Sequence, residues 1–373
     1  MLDPIVNFFT RVFQWIGRGI GFAIGILLWP FLWAGRWYTH RGWILKTLIG
    51  AAVLGLAVLY GIFIWNSQRW TNFNTAYPDT YTFAPPAGNG EQVTDEGSEG
   101  QVKTCTTSAI TTVTADLIDF NVNQNSWISS TILYKLGLFG VEWDHTPFFD
   151  NKAAFQRGVH QSVRRTAVEL VDTIGRVRGT SQIDQNLQDA RGAVEFDEET
   201  WYFGLRPFGP KTPTPSFYRT GITSLRGFND RLLKCETVFN ARADNLAKFV
   251  DRIASDLGST SEIISRQSQN FNNGWFDPRA DDRFWFAYGQ LYGYYGILKA
   301  ARYDFKAVID SRGLNPLWDQ LDLQFQAALK IQPAIISNGR EDGWIMPSHL
   351  TTMGFYMLRV RANLVEIRAV LDR

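Results

Sequence analysis

The sequence predicts a mainly α protein: a membrane-anchored antiparallel helical bundle with an N-terminal transmembrane helix. Three observations lead there. An uncharged apolar run, Leu48 to Trp65, is long enough to cross a bilayer, spanning about 27 Å as a helix. Stripes of apolar residues at alternating three- and four-residue spacing recur from Phe155 to Leu371. No β-branched run of the kind that a parallel sheet buries accompanies them.

Residues 1–46 form a basic, Trp- and Gly-rich segment, read as a cytoplasmic or interfacial helix. Ile5, Phe9, Val12, Ile16, Ile20 and Ala23 keep helical spacing, with Arg11, Gln14 and Arg18 on other faces. Gly19 to Gly35 is a second uncharged stretch, short and interrupted by Pro30. An interfacial or re-entrant helix is the favoured reading there, and a second span, making a hairpin, is the alternative. Gly17, Gly21 and Gly25 recur every four residues, a spacing that lets another helix approach closely.

The transmembrane helix is placed at 47–68. Trp43 stands before the run, and Trp65 and Trp70 close it, as an interfacial belt predicts. The run starts late and no small-residue cleavage pattern comes after it, so a cleaved signal peptide is not expected. Arg36, Arg41 and Lys46 precede it, whereas only Arg69 stands close behind. The positive-inside rule therefore holds residues 36–46 in the cytoplasm and exports the chain beyond residue 68. In a Gram-negative cell this means the inner membrane, with the bulk of the chain in the periplasm.

Residues 69–104 read as a Pro/Gly/acidic stalk, since Pro85–Pro86, several glycines and an acidic run offer no core of their own. Residues 105–373 read as the periplasmic helical domain, with an irregular insert at 195–216 that suits a short hairpin or a surface loop. The stripes are Phe155, Val159, Val163, Ala167, Leu170, Ile174 and Val177; then Leu225, Phe228, Leu232, Cys235, Phe239, Leu246, Phe249 and Ile253; then Tyr288, Leu291, Tyr295, Leu298, Arg302, Phe305 and Ile309. Trp318, Leu321, Phe325 and Ala328 come next, and Leu350, Met353, Met357, Val360, Leu364, Ile367 and Leu371 end the series. Short joining loops favour antiparallel neighbours.

The stretch most suggestive of chemistry is "NNGWFDPRADDRFWFAYGQLYGYYG", Asn272 to Gly296. Local physics accounts for most of it. Asp277 and Pro278 suit a helix start, and Asp281 and Asp282 suit a first helical turn. Asn273, Gly274, Trp275 and Asp277 are echoed by Asp342, Gly343 and Trp344 in "DGWIMPS", which also precedes a predicted helix. Gly would supply the turn and Trp would plug down onto the bundle. Tyr288, Tyr292, Tyr294 and Tyr295 could line a cleft for a sugar or an acyl chain, although core spacing explains three of them.

Other candidates are sparse. His145, His160 and His349 show no metal-ligand spacing, and Glu142 to Pro147 is a weak metal-like cluster. Arg340, Glu341, Asp342 and His349 form a second polar cluster. Cys105 and Cys235 are the only cysteines, and both fall on the exported side. They form either a disulfide, worth ~3–4 kcal/mol on chain-entropy grounds, or inert thiols. No CxxC motif suggests redox catalysis. The net charge of +1 argues against a nucleic-acid binder. No cofactor is expected.

The basic, Trp-rich amino terminus, the single strong span, the Pro/Gly stalk and "GWFDPRADDRFWFAYGQLYGYY" (Gly274 to Tyr295) resemble a family of proteobacterial inner-membrane proteins known only as a domain of unknown function. The likeness extends over most of the chain. It implies an inner-membrane location and brings no activity or catalytic residues. The expected role is a non-enzymatic membrane-anchored scaffold or accessory subunit, with the bilayer and a homo-oligomer or other envelope proteins as partners. A binding module for a lipid or glycan is the alternative. A carboxylate-dependent cell-wall hydrolase using Asp277, Asp281, Asp282 or Glu341 comes third, because paired acids must converge across a cleft.

Overall fold

The structure is a computed structural model describing residues 3–83, 105–138, 140–143, 146, 148–176, 183–205, 207–272, 274 and 277–373, with side chains at all of these except 3–10, 12 and 205. Val177, the acidic stretch 84–104, Asp144, His145 and Pro147 of the metal-like cluster, Asn273 and Trp275 lie outside the described residues. The chain is mainly α. It divides into two units, Met1–Ile62 and Phe63–Arg373.

The first unit holds α1 (Asp3–Thr39) and most of α2 (Trp43–Gln68). The expected interruption at Pro30 is absent, for α1 runs through it. A proline removes one backbone donor, which a long apolar helix tolerates. Phe13–Thr39 and Trp43–Gln68 are each long and apolar enough to cross a membrane. Their apolar side chains are exposed almost throughout, Phe22, Leu27, Phe31 and Leu54 among them. Gly17, Gly21 and Gly25 have nothing near the position of a Cβ, so among the described residues no helix occupies their face.

The second unit is built from α3 (Ala109–Asp119), α4 (Ile132–Leu136), α5 (Asn151–Glu169), α6 (Gln185–Val194), α7 (Thr214–Leu233), α8 (Ala243–Asn270), α9 (Ala280–Asp304), α10 (Lys306–Ser311), α11 (Asn315–Leu329) and α12 (His349–Leu371). The insert carries one antiparallel hairpin, β1 (Phe203–Leu205) with β2 (Phe208–Pro210). The predicted stripes are its core: Val159, Leu246, Leu291, Phe325 and Val360 are all fully buried. Cys235 departs from its stripe. It lies beyond the end of α7 with φ 57°, where Glu236 N donates to Arg231 O and closes a Schellman-type turn. It is exposed and joined to Cys105, with Cα atoms 5.6 Å apart.

Two contacting pairs run in opposite directions. On α8 and α12, Asp251 meets Arg368 and Ser268 meets Thr351; on α9 and α11, Arg302 meets Asp319 and Tyr288 meets Leu329. The most extensive pair, α5 with α9, runs the other way. Phe155 lies against Gly289 and Ser162 against Gly293, so the numbers rise together. Three helices intervene between α5 and α9, which gives the chain length enough to return in the same direction. Their backbones nearly touch. A Cβ at Gly158 would strike Phe286 O, and one at Gly289 would strike Phe155 O.

The stalk expectation is corrected at its start. Residues 69–83 form a strap packed on the domain, in which Trp70, Phe73, Tyr77, Tyr81 and Phe83 lie on the core. Phe73 and Tyr77 stack on Tyr292 at 5.5 and 4.5 Å, and Tyr77 OH donates to Tyr292 O at 2.9 Å. Gly296 clears the space for that hydroxyl. Asn125 holds the strap by a two-way bond with the Thr71 backbone, at 3.0 Å in each direction.

Gly289→Val should destabilise the second unit by about 3 kcal/mol, since neither backbone can give way. Gly21→Val should leave its unfolding midpoint unchanged. Denaturant titration of the detergent-solubilised chain reads both. Cys105→Ser should cost about 2–4 kcal/mol in the same assay.

Candidate functional site

The two echoed motifs meet. The loop between α8 and α9 and the loop between α11 and α12 lie side by side, joined through Asn338, which bridges Gly274 on one side and Ser348 on the other. Gly274 has φ 75°, which only glycine adopts without penalty, and Met346 fills the space where a side chain would stand. Asp277 is the knot. Its carboxylate accepts from Gln267 Nε2 at 2.8 and 2.9 Å, from Asn338 Nδ2 at 2.8 Å and from Arg279 N at 3.1 Å. It therefore ties the end of α8 to both loops, and α9 itself begins at Ala280. Ser337 N donates to His349 Nδ1 at 2.9 Å and fixes the far end of the second loop.

On this frame the second loop carries its apolar tip outward. Trp344 is 93% exposed and Ile345 73%. This corrects the expectation that the Trp plugs onto the bundle. The turn Gly343 N to Arg340 O, at 2.9 Å, carries the chain away from the core before Trp344. An open cavity of about 520 Å³ lies beside the tip, lined among others by Gly274, Arg340, Asp342, Trp344 and Met346. Arg340 and Asp342 pair with each other at 3.2 Å and are both exposed. An indole beside a cation, an anion and two apolar side chains can seat an apolar or planar group with a polar rim.

A second arrangement was only partly visible in sequence. Because α5 and α9 run together, their first turns are adjacent. Asp150 before α5 therefore meets Asp281 and Asp282 at the start of α9. Asp150 is fully buried and Asp281 nearly so. Neither Asp150 oxygen has a hydrogen bond of ordinary geometry. Burial first, then the neighbouring Asp282 and Asp281 charges, push Asp150 up to about 10. Burial, then Asp282, raise Asp281 to about 8. Both carboxyls are shifted towards their neutral form. A cavity of about 250 Å³ adjoins them, lined by Tyr134, Ala154, Arg157, Arg279, Asp282, Arg283 and Phe286. Arg157 pairs with Glu199 at 2.7 Å.

The proposed hydrolase acids do not face one another across a cleft. Asp281 and Asp282 crowd one wall with Asp150, Asp277 is tied to Gln267 and Asn338, and Glu341 accepts from Thr351 Oγ1 at 3.3 Å. The four tyrosines line no cleft, since all are buried in the core. His160 is buried too, with Nε2 at 2.8 Å from Val194 O and its ring stacked on Tyr218; burial pushes it down to about 3. Among the described residues no cluster of His, Cys, Asp and Glu has the geometry to hold a metal ion. Sequence reasoning missed Asp150, because its partners lie 131 and 132 residues away and no periodicity links them.

Residues 81–274 and 264–373 match the family of uncharacterized proteins conserved in bacteria, DUF2333. The chain belongs to this family. No curated protein and no solved structure matches it. The DUF2333 match takes in both echoed loops, the acidic cluster and both cysteines. It begins at Tyr81, on the packed strap, whose hydroxyl donates to Asp116 at 3.1 Å.

The acidic cluster sets a pH dependence. Both carboxyls sit above their unfolded values of about 4, so the native state keeps protons that the unfolded chain releases. Stability should fall as pH rises from about 4 towards 8 for Asp281 and 10 for Asp150. Asp150→Asn mimics the neutral acid and should flatten that fall, raising the unfolding midpoint at pH 8 more than at pH 5. Thermal unfolding at the two pH values measures it.

Proposed function

We propose that this DUF2333 chain is a membrane-anchored docking subunit. Its N-terminal helices hold it in the bacterial inner membrane, and its helical domain presents the Trp344 loop to a partner on the periplasmic side. The observation that carries the reading is the 93% exposed indole of Trp344, held out on a loop that is fixed at both ends. A large aromatic kept in water by a rigid frame costs solvation in the free protein and suits the anchor of an interface. The apolar faces of Phe13–Thr39 and Trp43–Gln68 support the membrane part. The cations Arg36, Arg41 and Lys46 ahead of α2 support the orientation, as does the Cys105–Cys235 disulfide, since such bonds persist outside the reducing cytoplasm.

A second reading keeps the same site and changes the ligand. Trp344 with Arg340 and Asp342 at the edge of an open cavity suits stacking of a sugar ring with polar contacts around it.

A photo-crosslinking residue at position 344 should trap a discrete partner in cells, whereas the same residue at exposed Leu323 on α11 should not. Trp344→Ala should release the chain from any larger complex in mild detergent while its unfolding midpoint stays put. A strictly monomeric species before mutation would overturn the docking reading, and a glycan co-purifying with the wild type alone would favour the second. Alkaline phosphatase fused after Arg373 should be active, and a reporter that fluoresces only in the cytosol should stay dark there; the reverse would overturn the orientation.

A further inference from the structure

The loop between α4 and α5 is built around the end of α2. Phe63, in the last turns of α2, is buried against Trp143, with ring centroids 4.8 Å apart. Trp143 is itself buried, and its Nε1 donates to Leu133 O at 2.8 Å. Gln68 Nε2 donates to Phe148 O at 2.8 Å, and Lys152 Nζ donates to Asn66 O at 2.9 Å and Arg69 O at 2.7 Å. The loop and the first turn of α5 thus grip the end of α2 and the residue after it, from Phe63 to Arg69. Phe63 belongs to the apolar run that ends at Trp65, so the grip starts inside that run by about 3 Å of helix rise.

This grip fixes the depth of the residues around Trp143. Val141 is two residues away, so it lies within about 7 Å of Trp143 along the chain. The polar interface of a bilayer is about 5–8 Å thick on each side. Outward from Trp143, Val141 falls in that interface. The side chains found there are apolar and unpartnered: Leu136 is 58% exposed, Val141 53% and Phe148 41%. Leu138 and Val141 close a tight antiparallel turn, with Leu138 N to Val141 O at 2.8 Å and the return bond at 3.1 Å. The turn depends on Gly137 at φ 66° and Gly140 at φ 90°; a Cβ at Gly137 would strike Val141 O. Trp65, with the Arg69 guanidinium 5.8 Å over its ring, marks the same level on α2. Exposed Glu142 next to the turn keeps the insertion shallow, since a carboxylate stays with the headgroups and water.

We propose that the turn from Leu136 to Val141, together with Phe148, sits in the lipid interface beside the end of α2 as a second, shallow membrane attachment of the domain. The proposal rests on the reading of α2 as a membrane span. The occupant is the acyl and headgroup boundary of the membrane that α2 enters, because the turn is held against a helix segment that must reach that boundary.

The two native cysteines are bonded to each other, so an introduced cysteine is the single reactive thiol. Full-length Val141→Cys carries an environment-sensitive fluorophore in vesicles of phosphatidylethanolamine and phosphatidylglycerol. Leu136→Cys serves as a second position on the turn, Leu323→Cys as an exposed position on α11, and Val53→Cys as a position in the middle of α2. Val141 and Leu136 labels should lose emission to lipids bearing a nitroxide near the glycerol end of the acyl chain, and less to a mid-chain nitroxide. Iodide should barely affect them. The Val53 label should respond most to the mid-chain nitroxide, and Leu323 to iodide alone. If Val53 behaves so while both turn labels respond only to iodide, the attachment is wrong and the anchor stands. If the turn labels are shielded from every quencher, a second copy of the chain covers the patch, and the proposal fails as well. A Val53 label open to iodide would overturn the anchored reading and this inference with it.

Discussion

The approach of the α5 backbone to the α9 backbone is the constraint on which the second unit depends. Gly158, Gly289 and Gly293 remove the side chains that would hold the two helices apart, and Phe155, Val159, Leu291 and Tyr292 close around the contact. The pair runs in the same direction, so two helix starts stand together. Each first turn favours negative charge through its unpaired N–H groups. Here Asp150 and Asp281 lie out of water beside the half-buried Asp282, and desolvation outweighs the dipoles, shifting both buried carboxyls towards the neutral form. The acidic cluster is therefore a consequence of the helix direction, and its proton content belongs to the packing of the whole unit.

Periodicity made the helices legible but not their partners. Every described residue of the α5, α9, α11 and α12 stripes that was expected inside is inside, apart from Arg302, because a seam is a local property of one helix. Direction is a long-range property. Nothing in the residues of α5 or α9 alone says that the chain between them allows a same-sense return. Gly289 and Gly293 were the available signal, since two glycines four apart in a core helix mark a close backbone neighbour. The same spacing at Gly17, Gly21 and Gly25 meets no neighbour among the described residues.

The strap and the Trp344 loop depart from their expected burial in opposite directions. Residues 71–83 are rich in Thr and Asn and have no helical or strand period, so they read as spacer. An extended segment needs no period to pack, because each aromatic finds its own site, as Phe73 and Tyr77 do on Tyr292. Trp344 was expected inside because a large aromatic normally loses free energy in water. Its loop is instead fixed by polar contacts at Asn338 and Ser337, which hold the backbone without consulting the tip. A tip so released from the core is where recognition residues are placed, as loops on rigid scaffolds generally carry function.

Lys152 couples the start of α5 to the end of α2. A lysine in the first turn of α5 opposes the helix dipole, and the carboxyl of its neighbour Asp150 is shifted towards the neutral form. Burial, then the Arg69 charge, bring its ammonium down to about 8. What holds it is the other helix end. The carbonyls of Asn66 and Arg69, left without N–H partners where α2 stops, accept its protons. A cation that is misplaced with respect to α5 is well placed with respect to α2, where the dipole favours it. The end of an apolar helix must satisfy its last carbonyls before it meets lipid or protein, and here the folded unit supplies the donor. The strap continues directly from that capped end, so the cap sets where Trp70 and Phe73 enter the core and seat against Phe155.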